Sequence, residues 1–301
     1  MGLMSIEYIA QQIVNGLILG SMYAMVAIGF SMIYGIIRLI NFAHGDVVMI
    51  GAFLTLGLLQ VVGAPFPLVA LVVLAAGAGI GILIEKAAFR PMRGAPQVTG
   101  FIASLAISIM LQNLGILILT AQPRNFAFPD YLQKVLHIGG ISFRMVDLVI
   151  MMSALALMCA LMLLVKKTRM GMAMRATAEN IDVARLMGIN INRTIMATFA
   201  VGSALAAIAG LMWGGKFGQI DPLLGFIPGL KSFVAAVIGG VGSIPGAIIG
   251  GFVLGLSEVL FVGLLPPIYS AYRDAFVFGT LILILLILPN GILGKKMEER
   301  T

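Results

Sequence analysis

The chain has 301 residues, 60% of them hydrophobic and only 10% charged. A soluble domain carries about a quarter charged residues, so this composition excludes a water-dissolved globule and makes lipid or neighbouring helix the solvent for most side chains. The formal net charge of +7 would point to nucleic acid in a soluble protein. Here the cations stand between apolar runs, where they attract anionic headgroups and set topology, and nucleic acid is set aside as a partner.

The first charge-free run, Tyr8 to Ile37, exceeds the roughly 20 residues that cross a ~30 Å hydrocarbon layer. Its lead, Met1 to Glu7, is acidic rather than basic, and the run is far longer than a signal-peptide core, so it is expected to be a retained first span. Behind it, Asn41-Phe42-Ala43-His44-Gly45-Asp46 places an amide, an imidazole and a carboxylate within about two helical turns. Unsatisfied polar groups are expensive near a bilayer, which leaves two readings. One is a solvated interfacial turn capped by Asn41, with His44 bonded to backbone. The other is a gate or polar lining at a helix break, where free N–H groups receive a substrate carboxylate.

The run from Val47 to Ile84 must hold two spans, with the turn at Gly63-Ala64-Pro65-Phe66-Pro67, because proline removes donors and disfavours helix in the residue before it. Lys86, Arg90 and Arg93 follow as a basic cluster. Within the next run, Gly94 to Pro123, Gln112 and Asn113 follow Ser104 and Ser108 at helical spacing. They read either as glue between helices or as a pathway lining. The loop from Gln122 to Asp147 has a mixed charge balance. Leu148 to Val165 is a further span, and Cys159, the only cysteine, is expected to be a small buried apolar residue within it. A single cysteine forms no intramolecular disulfide and no metal cluster.

From Lys166 to Arg193 the chain turns basic: Lys166, Lys167, Arg169, Arg175, Arg185 and Arg193. From Asn180 onward polar and apolar residues alternate at helical spacing, with Asp182 early and Gly188 just past the end, as capping and dipole rules require. A short amphipathic helix is expected there. It either lies on lipid or docks a soluble partner through Val183, Leu186 and Met187. Thr194 to Gly215 is the next span. Phe226 to Leu265 is too long for one helix, and Gly239-Gly240-Val241-Gly242-Ser243-Ile244-Pro245-Gly246 divides it. That break lacks the lysine and hydroxyl of a phosphate loop and reads as unwound backbone lining a cavity or meeting a partner. Glu258 is the only carboxylate in this late region, and no partner for it can be named. Ala275 to Gly294 closes the series, before Lys295, Lys296 and Arg300.

The expected fold is all-α: a polytopic bundle of eight spans plus one short or broken segment near Ile227 to Val241, forming a single transmembrane domain over residues 1–301. Lysines and arginines in short loops favour the cytoplasm, which places the three basic clusters inside, the Gln122 to Asp147 loop outside, the amino terminus outside and Arg38 inside. The carboxyl tail is inside only if the Ile227 segment effectively crosses. Small residues at four-residue spacing, as in Gly16 and Gly20, Gly77 and Gly81, or Gly251 and Gly255, let backbones approach and predict tight packing. No catalytic or metal-ligand constellation is found, two histidines argue against a zinc site, and no cofactor is expected.

Two sets of residues carry a family resemblance. Asp182-Val183-Ala184 followed by Gly188 resembles a degenerate form of the E-A-A-x-x-x-G coupling loop of ABC importer permeases, with aspartate for glutamate and valine for one alanine. More specifically, Ile40 to Asp46, Arg90-Pro91-Met92-Arg93, Arg175 to Asn180 leading into Ala184 to Asn190, and Gly239 to Ala247 are together similar to the LivH family of branched-chain amino acid permeases, over nearly the whole chain. The resemblance implies one membrane subunit of a bacterial importer in the inner membrane. Its partners would be a homologous LivM-like permease, two cytoplasmic ATP-binding subunits and a periplasmic substrate-binding protein.

It also implies that Glu179, Asp182, Val183, Ala184, Arg185, Leu186, Met187 and Gly188 couple to the ATPase. Asn41, His44, Gln112, Asn113, Gly240 and Gly242 are the candidates for a pathway or gate. Urea and short amides stay open beside Leu, Ile and Val as substrates. Two rival classes are an ion-coupled secondary transporter, which would use Glu258 or Asp46, and an integral-membrane enzyme, for which no catalytic cluster is present.

Overall fold

The computed structural model describes residues 5–294; the cluster of Lys295, Lys296 and Arg300 lies outside the described residues. Among the described residues eight helices are long and apolar enough to cross a membrane, and a shorter apolar helix, Phe226–Gly239, stands between the sixth and seventh of them. The first is α1 (Ile6–Ile37), begun by Ser5, whose hydroxyl accepts from the Tyr8 amide, and stopped by Arg38 at φ 57°. The second run divides as expected. Helix α2 (Ala43–Leu56) continues through one π turn to Val61, Gly63 turns the chain at φ 67°, and α3 (Phe66–Ile84) restarts with Pro67 in its first turn, where a missing N–H costs nothing. Helix α4 (Gln97–Leu119) follows a loop at Arg90 to Pro96.

The loop after α4 holds structure that the charge balance did not disclose. Strand β1 (Arg124–Asn125), a one-turn helix α5 (Asp130–Gln133) and a hairpin of β2 (Val135–Ile138) and β3 (Ile141–Arg144) fill it. Gly139 and Gly140, both at positive φ, make the two-residue turn that such hairpins demand. Helix α6 (Met145–Lys167) then carries Cys159 on its exposed face. The expectation of a buried cysteine is therefore corrected: α6 buries one stripe, including Ile150, Ala154, Met158 and Leu161, and residue 159 lies off it.

Three side-chain caps shape the basic stretch. Thr168 caps α7 (Arg169–Glu179), Asn180 caps α8 (Ile181–Leu186), and Asn190 caps α9 (Ile191–Phe217). Each accepts one or two of the orphan amides that open a new helix, so three helices start in close succession. Strand β4 (Gln219–Ile220) pairs antiparallel with β1. Helix α10 (Phe226–Gly239), α11 (Ile244–Leu264) and α12 (Arg273–Ile287) complete the bundle, α12 being preceded by a 3₁₀ turn at Pro267–Tyr272.

The core is built on glycine contacts. Along the α1–α11 seam Gly16 faces Leu256, Gly20 faces Phe252 and Gly255, and Ala24 faces Gly251. The ascending and descending numbers show the two helices run antiparallel. On the other side, Gly77 and Gly81 of α3 seat against Ser203, Ala204 and Phe199 of α9. Without a hydrophobic drive between helices in lipid, such backbone approach supplies the packing. Replacing Gly255 by isoleucine would drive its side chain into the backbone of Gly20, an overpacking worth about 1–3 kcal/mol. The expected result is a lower unfolding midpoint of the detergent-solubilised protein, whereas Gly79→Ile, into open space, leaves it unchanged.

Two helices begin in mid-bundle. The His44 ring lies against Gly29 of α1, eight residues short of that helix's end and so ~12 Å inside it; the segment from Arg38 to Phe42 must fold back into the bundle before α2 starts. Likewise Gly225 and Gly229, at the start of α10, meet Gly45 at the start of α2, while the far end of α10 reaches the level of Gly35 through Gly242. Helix α10 thus spans only the part of the bundle beside the carboxyl end of α1.

Even so, α10 counts as a crossing for topology. Gly35 and Gly242 share an end of the molecule with Leu39 and Gly100, with the Arg93–Asn192 contact, and with α7 and α8. The amides of Ile292 and Leu293 bond to the carbonyls of Ile238 and Gly239, which brings the last described residues to that same end. Tyr8 bonds to Gly263, and Gln11 to Ser142, at the opposite one.

Candidate functional site

The mid-bundle junction is assembled from the first turns of α2 and α10. Only glycine permits it: a Cβ on Gly29 would collide with the His44 imidazole, one on Gly225 with the Gly45 carbonyl, and one on Gly229 would lie 2.7 Å from the Gly45 Cα. Aromatic rings close the side nearest α1 and α4. Phe30 meets the His44 ring edge-on at 4.8 Å, and Phe42 meets Phe101 at 5.1 Å and Phe233 at 6.1 Å.

The reading of Asn41 to Asp46 as a solvated interfacial turn is corrected here. Asn41, His44 and Asp46 are all at most 1% exposed, because the chain folds back into the bundle before α2 begins. Nor does Asn41 cap the helix: Phe42 holds the N-cap position without a side-chain bond, and both polar atoms of the Asn41 amide lack a partner among the described residues.

Gln112 reaches the same place from α4, donating to Asp46 Oδ1 at 3.0 Å and to Ser108 at 3.1 Å. The structure therefore brings Asn41, His44 and Gln112 to one level. Asn113 is turned away, exposed on α4, with its amide donating to its own helix at Ile109. Gly240 and Gly242 also lie elsewhere, in the turn between α10 and α11, at φ 103° and 88°. Gly240 is closed in by the backbone of Leu293 and Gly294, and Gly242 by Gly35.

At the end shared by the basic loops, α8 presents an apolar face outward. Val183, Leu186 and Met187 are 53%, 86% and 78% exposed, while Ala184 is buried and roots the helix in the bundle. Asp182 and Arg185 sit beside this face, 3.9 Å apart; Glu179 is exposed on the preceding turn. Gly188, at φ 80°, turns the chain toward α9. Beneath α8, Gly171 of α7 is pressed onto the backbone of Leu164 and Val165, and Arg175 donates to the Val165 carbonyl.

Sequence reasoning missed the partners of Glu258. Lys231 Nζ lies 2.7 Å from Glu258 Oε1 and 2.7 Å from Asp274 Oδ1, Arg273 Nε is 3.2 Å from Glu258, and Tyr23 donates to Glu258 Oε2 at 2.9 Å. Four helices, α1, α10, α11 and α12, meet in this network. The rule that singled out Glu258, that a charge among apolar spans demands a partner, applies equally to Lys231 and was the available signal.

Residues 12–285 match the family described as branched-chain amino acid transport system, permease component. The chain belongs to this permease family. Over 98% of its length it is 40% identical to the high-affinity branched-chain amino acid transport system permease protein BraD of Pseudomonas aeruginosa, covering 99% of that protein. It is 41% identical over 97% to the LivH permease protein of Salmonella typhimurium, covering 98% of it. The probable LivH permease protein of Methanocaldococcus jannaschii is 32% identical over 95%, with 93% of that protein covered. No solved structure matches.

In this permease four carboxylates are buried among the described residues: Asp46, Glu85, Asp147 and Glu258. Glu85 pairs with Arg93, Asp147 with Lys216 at 2.7 Å and Arg144 at 3.8 Å, and Glu258 with Lys231 and Arg273. Asp46 alone has no cationic side chain of the described residues within ion-pair distance.

Proposed function

We propose that this permease is one membrane subunit of a bacterial ABC importer that carries Leu, Ile and Val across the inner membrane. Its partners are a homologous LivM-like permease, two ATP-binding subunits on the cytoplasmic side and a periplasmic substrate-binding protein. The observation that carries this reading is the near-full-length similarity to BraD and LivH proteins whose names state that transport. The chain holds no Gly-x-x-x-x-Gly-Lys-Ser/Thr segment, so the energy comes from elsewhere.

The contact that receives it is α8. ATP-driven closure of the partner subunits pushes on Val183, Leu186 and Met187, with Glu179, Asp182, Ala184, Arg185 and Gly188 setting the helix's pose. Because α7 is wedged onto the end of α6 and α8 leads directly into α9, a displacement there swings both spans. The junction of α2 and α10 is the constriction that this swing opens. Asn41, His44 and Gln112 line it; Asn113 faces outward from α4, and the Gly240–Gly242 turn is the hinge at the cytoplasmic end of α10. An ion-coupled transporter has weaker support: Glu258 is already neutralised by Lys231 and Arg273, which leaves Asp46 as its one candidate carboxylate.

The test is reconstitution with the partner subunits and loaded binding protein in proteoliposomes, where ATP is expected to drive leucine uptake. The permease alone should give none. Gly188→Val forces a β-branched residue into the left-handed region, at a cost of about 1–2 kcal/mol, and re-aims the chain leaving α8. That variant is expected to hydrolyse ATP while importing little. Normal uptake by it would remove α8 from the coupling path.

A further inference from the structure

We infer that Asp46 is the group that recognises the ammonium of the transported amino acid, an assignment that rests on the reading of the chain as an amino acid permease. A carboxylate buried in a bundle needs a cation or a full set of donors. Glu85, Asp147 and Glu258 each have their cation built in. Asp46, 1% exposed, does not: its polar neighbours are the neutral side chains of Gln112, which donates to Oδ1, and Ser108, and its Oδ2 has no hydrogen-bond partner among the described residues.

Its position is that of the constriction. Asp46 is the residue after Gly45, whose backbone is what Gly225 and Gly229 close upon, and a Cβ on Gly225 would lie 3.1 Å from the Asp46 Cα. When α2 and α10 part, the turn of α2 that carries this carboxylate is freed on its α10 side, while Gln112 of α4 holds the carboxylate on the other. Gln112, held in turn by Ser108, fixes one oxygen and leaves the other for the visitor. The missing cation is then the cargo itself. A zwitterionic amino acid brings an ammonium to Asp46, whereas urea and short amides bring only neutral N–H groups, which a carboxylate binds less strongly. The same residue therefore sets substrate class, favouring amino acids over amides.

The experiment uses the complete transporter, without nucleotide or binding protein, in nanodiscs, with saturation-transfer NMR on the methyl groups of millimolar L-leucine and of 4-methylpentanoate, its analogue lacking the amino group. Asp46→Asn keeps the shape and the bond to Gln112 while removing the charge. The expected result is a drop of about tenfold or more in leucine contact, with contact by 4-methylpentanoate unchanged or raised. Equal leucine contact in wild type and variant overturns the assignment, and so does a parallel loss of both ligands, which marks a structural role. Uptake of leucine by the wild-type complex is measured alongside. Absence of uptake sinks the underlying function and this inference with it, whereas normal uptake with an unaltered Asp46→Asn preference sinks the inference alone.

Discussion

If α8 receives the ATPase subunits as proposed, exchanging Leu186 for aspartate is expected to release them from the permease. The side chain is 86% exposed on a six-residue helix, so its loss removes no packing from the bundle and the fold should survive. What it removes is the centre of an apolar face flanked by Val183 and Met187. Central apolar anchors at interfaces cost about 2 kcal/mol or more when lost, roughly a 30-fold weaker association, and aspartate adds the desolvation of a charge. Titrating the ATPase onto the nanodisc-embedded permease measures it directly. Wild-type affinity for the variant, together with normal uptake, would leave α8 as a helix resting on headgroups.

Lys231→Met is expected to be among the most damaging single changes within the spans. Lys231 and Glu258 are each 2% exposed, and removing one partner of a buried pair costs about 3–5 kcal/mol because the other charge stays behind. Here the single change leaves Glu258 and Asp274 facing only Arg273, one negative charge in excess. Removing Glu258 as well leaves Arg273 with Asp274, 3.7 Å apart and half-exposed, which is neutral. The double variant Lys231→Met with Glu258→Met should therefore recover much of the stability lost by either single change. Unfolding midpoints of the four proteins form the cycle, and simple addition of the two losses would show that the pair is not coupled. Since Lys231 stands half a turn beyond Gly229, which closes the junction, the single variant should also loosen the grip of α10 on α2.

Much of this architecture is legible in the amino acid order alone. The number of crossings, the turn at Gly63 to Pro67, the division at Gly239 to Gly246, and the short helix ended by Gly188 follow from run length, proline, positive-φ glycine and capping side chains. All of these act within a few residues of where they are written. The helix proposed to couple was legible for the same reason, since α8 is a local motif, capped by Asn180 and followed by Gly188.

What only the tertiary structure decided is depth and pairing. Asn41 to Asp46 left an interfacial turn open beside a buried lining because a polar segment between two apolar runs is ordinarily at the headgroups, and nothing local reports that Gly29 leaves room for the His44 ring inside the bundle. Lys231 finds Glu258 twenty-seven residues away and Tyr23 meets it from 235 residues away, partnerships set by which helices pack together. Cys159 is exposed because the buried stripe of α6 falls one residue to the side. Hydropathy measures the average solvent of a segment, whereas the environment of a single side chain depends on the neighbours that close packing brings, and those neighbours come from elsewhere in the chain.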